Sequence, residues 1–63
     1  MIKLTRLNGE EIYINSDLIE KIEEKADTMI TMNSQMQYVV KEKIIDINNR
    51  IISFKKNIFS GGK

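Results

Sequence analysis

The chain has 63 residues, of which ten are basic and nine acidic, and it contains no cysteine, histidine or proline. A chain this short forms one small domain with a thin core. Without cysteine or histidine it has no disulfides, thiolate or imidazole metal sites or Ser-His catalysis. We therefore expect no catalytic residue, no metal and no cofactor. Small domains that have neither disulfides nor a bound metal often gain stability from a partner subunit, so we expect a homo-oligomer.

Charge is unevenly distributed along the chain, although the net charge is only +1. Residues 10–27 carry seven acids and two lysines, whereas residues 50–63 carry four basic residues and no acid. These opposite blocks can pair within the fold or between subunits, or the basic end can face an acidic partner. No stretch is apolar enough to span a membrane, and residues 1–20 lack the pattern of a signal peptide. We therefore expect a cytoplasmic protein.

The chain opens with a predicted hairpin. Residues 2–7 alternate apolar and polar residues, as expected of a half-buried strand. Asn8-Gly9 follows, a pair typical of a two-residue turn in which both positions take a positive φ. Residues 11–14 resume the alternation, which predicts the returning strand.

Residues 15–18 are predicted to form a turn. Three further strands are predicted, at residues 19–24, 28–33 and 36–41. The first of them also fits a short helix, because Asp17 and Glu20 have the spacing of a capping box. In the second, Met29 and Met32 fall on opposite faces, which leaves one of them toward solvent or a partner. Short connections between consecutive strands predict an antiparallel meander.

From Glu42 the apolar period becomes that of a helix. The pattern runs for about 17 residues, with Lys55 near the end and Gly61 just beyond it, as suits the helix dipole and a helix stop. The sequence therefore predicts an α+β fold, in which a small antiparallel meander of about five short strands precedes one amphipathic helix. We expect a single domain over residues 1–59 and a flexible tail at 60–63.

The apolar face of this helix covers about half of the helix circumference, more than one small sheet should need. It divides into a heptad-like seam and a second edge. The seam, our candidate for self-association, consists of Ile44, Ile47, Ile51, Phe54 and Ile58. The second edge consists of Ile45, Ile52 and Phe59. We expect one part to pack on the sheet and the other on a second subunit. The alternative is that the whole face belongs to the domain's own core.

Three basic residues of the helix, Arg50, Lys55 and Lys56, are candidates for docking to the membrane surface or to an acidic partner. A small nucleic-acid-binding or regulatory adaptor module is the alternative function, and it would also use Lys41 and Lys43. The near-neutral net charge and the lack of interleaved aromatic residues speak against that alternative. We therefore expect no nucleic-acid partner.

The order of segments resembles the FlbD/SwrD family of short flagellar and swarming motility proteins, over about residues 1–57. The segments that carry the resemblance are residues 1–9, 15–20, 27–32 and 38–42. The most specific are the opening Met-Ile-Lys-Leu-Thr-Arg-Leu-Asn-Gly and the later Tyr-Val-Val-Lys-Glu. The family often has Asn-Gly where this chain has Asn33-Ser34. The resemblance implies a non-enzymatic role in motility, with the torque-generating stator units of the motor, or other flagellar proteins, as partners near the inner face of the membrane.

Overall fold

A computed structural model describes residues 1–61, with the side chains of residues 1–56. The elements, in chain order, are β1 (Ile2–Thr5), β2 (Glu11–Ile14), a 3-10 turn (Ser16–Leu18), β3 (Ile19–Glu24), β4 (Thr28–Met32), β5 (Gln37–Val40) and α1 (Ile44–Gly61). The predicted α+β fold of five strands and one helix is thus confirmed. The predicted tail at residues 60–63 starts within α1 and ends on residues outside the described ones, so its mobility stays a prediction.

The five strands form two antiparallel sheets. β1 pairs with β2, and β4 lies between β3 and β5. The sheets meet where Arg6 bridges to Val40 and where the N–H of Lys41 donates to the carbonyl of Thr5 at 2.8 Å. The meander is interrupted between β2 and β3 because the 3-10 turn redirects the chain there. The link between the sheets therefore comes from the first and the last strand.

β3 confirms the strand predicted for residues 19–24, which also fitted a short helix. Ile19 and Ile22 both pack against the core although they are three positions apart. The pairing register with β4 shifts between Ile19 and Lys21, so one residue is extra on the β3 side. Such a bulge turns both isoleucines to the same face of the sheet. The helix-like spacing in the sequence therefore reflects a bulged strand.

The β1–β2 turn differs from the predicted two-residue type. The N–H of Arg6 donates to the carbonyl of Glu10 at 2.8 Å, and the N–H of Gly9 donates to the carbonyl of Arg6 at 2.9 Å. The loop therefore has three residues, Leu7, Asn8 and Gly9, and Gly9 alone among them has a positive φ, +91°. This is a type I turn closed by a bulge glycine. Because the turn starts at Arg6, β1 is shorter than predicted.

The β4–β5 turn repeats that arrangement without a glycine. The N–H of Met32 donates to the carbonyl of Met36 at 2.8 Å, and the N–H of Gln35 donates to the carbonyl of Met32 at 2.9 Å. Gln35 takes the position that Gly9 holds in the first hairpin, with a φ of +76°. A non-glycine residue there is strained because its Cβ crowds the backbone.

The core lies between the inner faces of both sheets and one face of α1. Its buried residues are Ile2, Leu4, Ile14, Ile30, Met32, Val40 and Ile47. Alternate residues of β1 and β4 reach it, as the strand period requires. Met32 is buried whereas Met29, on the opposite face of β4, is only half-buried. The prediction that the two methionines occupy opposite faces is confirmed.

A network around the carboxylate of Glu42 fixes the start of α1 against β1. The Glu42 side chain is 10% exposed. Its Oε1 accepts from the N–H of Thr5 at 2.9 Å, and its Oε2 accepts from the Thr5 hydroxyl at 2.9 Å and from Nη1 of Arg50 at 3.0 Å. Nη1 of Arg50 also donates to the carbonyl of Lys3 at 2.6 Å. One carboxylate therefore ties together β1, the segment before α1 and α1 itself.

A second carboxylate, from the end of β3, caps α1. Oε1 of Glu24 accepts from the N–H of Ile44 at 2.8 Å. Nearby, Nζ of Lys43 donates to the carbonyl of Ala26 at 3.1 Å. The first N–H groups of a helix have no partner within the helix, and an acid is favourable at its positive end. Glu24 thus holds the start of α1 to the second sheet, as Glu42 holds it to the first.

The Glu42 network also determines the protonation state of Glu42. Burial raises the pKa of this carboxyl, but hydrogen bonds from the backbone and hydroxyl of Thr5, from its own backbone N–H and from Arg50 outweigh burial, so the pKa falls below 4.5. The folded state therefore favours the carboxylate. Its stabilisation is fully present above pH 4.5 and is lost as the pH falls through the lower folded pKa.

We expect the Gln35→Gly substitution to raise the free energy of unfolding by about 0.5–1 kcal/mol, because glycine relieves the strain of the positive φ while adding some unfolded-state entropy. Urea denaturation measures the change. Ser34→Gly, one residue earlier and at negative φ, is the matched control and should lower stability. A Gln35→Gly variant that is less stable than the native chain would show that the positive φ of Gln35 does not destabilise the fold.

We expect Glu42→Gln to lower the free energy of unfolding at pH 7 by about 1–3 kcal/mol, because it weakens charge-assisted hydrogen bonds at a half-buried site. The difference between the native chain and the variant should shrink as the pH falls below 4.5 and disappear once the pH has passed the lower folded pKa of Glu42. Urea denaturation at pH 7 and pH 3 checks both statements. Glu10→Gln is the control, since its exposed pair with Arg6 should contribute little. An equal loss at both pH values would argue against the ionised network.

Candidate interaction surface

The structure divides the predicted self-association seam between core and surface. Ile47 is fully buried, and Ile51 and Phe54 are half-buried and pack against the core. Ile44, at the first position of α1, is 40% exposed. The side chain of Ile58 lies outside the described residues. Self-association through the seam stays a prediction, but three of its four described members serve the chain's own sheets.

The second edge of the helix faces solvent. Ile45 is 64% exposed and Ile52 is 55% exposed. Seven positions apart, they project from nearly the same side of α1 and form what we call the outer stripe. The side chain of Phe59 lies outside the described residues. Among the helix side chains that the structure describes, the outer stripe is therefore the most exposed apolar surface, followed by Ile44.

The outer stripe ends at two lysines. Lys55 and Lys56 follow Ile52 by three and four positions, which places them on either side of the stripe. The acid that α1 contains, Asp46, lies about 100° further around the helix than Ile45. The outer stripe is therefore apolar, with two lysines at one end and the exposed Asp46 to one side of its other end.

The basic candidates differ in what they already bind. Arg50 donates to Glu42 and to the carbonyl of Lys3, so it is part of the network that holds α1. Nζ of Lys55 lies 3.8 Å from Oδ1 of Asp17, with both side chains more than half exposed. This contact joins the acidic and basic blocks of the sequence at one point. Lys56 is exposed and makes no ion pair with the described residues.

The lysines proposed for the alternative, nucleic-acid-binding reading fall into separate groups. Lys41 and Lys43 stand before α1, and Nζ of Lys43 donates to the carbonyl of Ala26. Lys43 and Lys55 are 12 positions apart, or about 18 Å along a helix. Arg50, which stands between them, is bound to Glu42. The structure therefore does not bring these residues together into one continuous basic surface.

A second, smaller apolar surface lies on the outer face of the three-stranded sheet. Met29 and Val39 are paired neighbours on β4 and β5, and Val39 is 36% exposed. They line a groove of about 300 Å³ whose rim includes Glu23 and Asp27. The methionine spacing in the sequence predicted that either Met29 or Met32 faces outward without saying which, and nothing in the sequence paired Met29 with Val39.

The described residues contain no group of three or more acidic, histidine or cysteine side chains placed to hold a metal ion. Among them there is also no helix whose length and hydropathy would suit a membrane span. A groove of about 470 Å³ runs between α1 and the start of β1, and its charged lining includes Lys3, Asp46 and Arg50.

Sequence reasoning missed the two carboxylates that position the outer stripe. The sequence marked Glu42 only as the residue from which the helical period begins, and its partner Thr5 is 37 residues away. Glu24 is 20 residues away from the N–H that it accepts from. The spacing of eight residues between Glu42 and Arg50 would allow the two side chains to meet on one side of a helix. Acidic and basic residues at this spacing are too common, however, for the sequence to predict their ion pair.

Comparison with known protein families gives a match. The family model FlbD, described as flagellar and swarming motility proteins, matches residues 1–59. No curated protein and no solved structure matches the chain significantly. The matched residues include all five strands and most of α1. The resemblance inferred from the sequence is thus confirmed, and the chain belongs to the FlbD family of flagellar and swarming motility proteins.

Proposed function

We propose that the chain is a non-enzymatic accessory protein of the flagellar motor, which supports the stator units through protein–protein contacts in the cytoplasm. The observation that carries the proposal is the family match over residues 1–59, because it covers every strand and most of the helix. A motility role belongs to the family as a whole. The stator as partner and the cytoplasmic location are our own extension of it.

The described surface supports a role in contact. α1 is held to both sheets through Glu42 and Glu24, so its exposed side is presented in a fixed orientation. A pre-ordered surface loses less conformational entropy on binding than a flexible one. Lys55 and Lys56 stand at one end of that surface. We assign this lysine end to an acidic surface of the motor at the inner face of the cell membrane.

A genetic experiment tests the stator proposal. Deletion of the gene should lower the torque of tethered cells and abolish swarming, while flagella are still assembled in normal number. Counting torque steps as individual stator units join the motor would show fewer units or smaller steps. Normal torque and normal swarming in the deletion strain would refute the proposal and favour an adaptor without a flagellar role.

We expect the double substitution Lys55→Glu and Lys56→Glu to reduce swarming to near the level of the deletion strain, because it reverses the charge of the proposed docking end. Swarm expansion rate and tethered-cell torque are the measurements. The matched control is Lys21→Glu with Lys25→Glu, which makes the same charge change at exposed positions on and beside β3. Thermal unfolding establishes that both variants fold. Equal swarming by the two variants would show that the lysine end only keeps the surface soluble.

A further inference from the structure

We infer that Asn8-Gly9, at the tip of the β1–β2 hairpin, is a covalent modification site, at which Asn8 deamidates when the hairpin opens and is protected while the hairpin is closed. The inference does not depend on the motility role. It rests on the chemistry of an asparagine that is followed by glycine and on the hydrogen bonds of the turn. Both residues are exposed, so water reaches them in the folded chain.

Deamidation is a reaction of the backbone with the asparagine side chain. The nitrogen of Gly9 loses its proton to hydroxide and attacks Cγ of Asn8. The new N–C bond closes a five-membered imide, and ammonia leaves with a proton taken from water. Water then opens the imide at either carbonyl, which gives aspartate or isoaspartate. Because glycine has no Cβ to hinder the attack, Asn8, the asparagine of this chain that precedes a glycine, should react first.

The closed turn holds Asn8 away from the conformation that the reaction needs. Asn8 occupies the third position of the type I turn that begins at Arg6, where ψ is about 0°. The imide ring closes only after the Cα–C bond of Asn8 has rotated far from that value, so that the nitrogen of Gly9 lies beside Cβ. The N–H of Gly9 donates to the carbonyl of Arg6 at 2.9 Å, and this rotation breaks that bond.

Two further hydrogen bonds maintain the unreactive conformation. Oδ1 of Asn8 accepts from the N–H of Glu10 at 2.9 Å, which restrains the side chain that carries the reacting carbon. The N–H of Arg6 donates to the carbonyl of Glu10 at 2.8 Å and closes the loop. A Cβ at Gly9 would meet nothing within 4 Å, so packing does not shield the turn. Protection therefore comes from the hydrogen-bonded conformation and is lost on local opening.

The two products of the reaction affect the turn differently. Aspartate keeps a side-chain oxygen that can accept from the N–H of Glu10, as Oδ1 of Asn8 does. Isoaspartate carries the main chain through the former side-chain carbon, which adds one atom to the backbone of the loop. The hydrogen bond from Gly9 to Arg6 would then close a larger ring. The isoaspartyl product therefore does not fit the native turn, and a hairpin that has reacted in this way is permanently altered.

Peptide mapping by mass spectrometry tests the inference on the full chain, incubated at mildly alkaline pH with and without guanidinium chloride. We expect Asn8 to deamidate at least about tenfold more slowly in the folded chain, the effect of about two hydrogen bonds. In the unfolded chain, isoaspartate should form at residue 8 before the other asparagines react. Equal rates in the two conditions, or an Asn8 that does not react in the unfolded chain, would overturn the inference.

A matched pair of substitutions tests whether the hairpin is the unit that opens. Ile12→Ala and Ile22→Ala each shorten a half-buried isoleucine that packs against the core. Ile12 lies on β2 in the two-stranded sheet, whereas Ile22 lies on β3 in the other sheet. Ile12→Ala should accelerate the deamidation of Asn8 more than Ile22→Ala does. Equal acceleration, with both variants folded by circular dichroism, would overturn the assignment of protection to the hairpin.

Discussion

The carboxylate of Glu42 is the interaction on which the rest of the structure depends. The two sheets have few direct backbone links, and the apolar face of α1 is wider than the part of it that packs on them. By accepting from Thr5 and from Arg50, Glu42 joins β1 to the helix in the orientation that turns Ile47 toward the core and leaves Ile45 exposed. The exposed helix surface therefore reflects this half-buried, charge-assisted network together with apolar packing.

The strands and the helix could be predicted from the sequence because each follows from a local period. The alternation in residues 2–7 and the three-four steps after Glu42 depend on neighbouring residues only. The turn geometry was harder to predict from the sequence, since Asn8-Gly9 is compatible with both two-residue and three-residue loops. The backbone hydrogen bond from Arg6 to Glu10 shows that the loop has three residues. The strain at Gln35 could not be predicted from the sequence, because glutamine, unlike glycine, does not indicate a positive φ.

The division of the helix face could be predicted only in part. The width of the apolar face correctly indicated that one sheet surface would not cover all of it, and Ile45 and Ile52 are indeed exposed. Which stripe is covered depends on contacts that connect residues 20 or more positions apart, such as Glu24 with Ile44. The heptad-like seam is the stripe that the sheets use, which is why Ile47 is buried.

The contacts that Glu42 and Arg50 make with β1 join residues far apart in the sequence, which affects how the chain folds. The hairpins of β3, β4 and β5 join residues that are near in sequence and can form quickly. The bonds from Thr5 to Glu42 and from Arg50 to Lys3 span 37 and 47 residues, and contacts of such span are slow to close. During synthesis, β1 can make these contacts only after Glu42 and Arg50 have been added to the chain. The β1–β2 hairpin can form locally, but we expect its attachment to α1 to be a late step of folding.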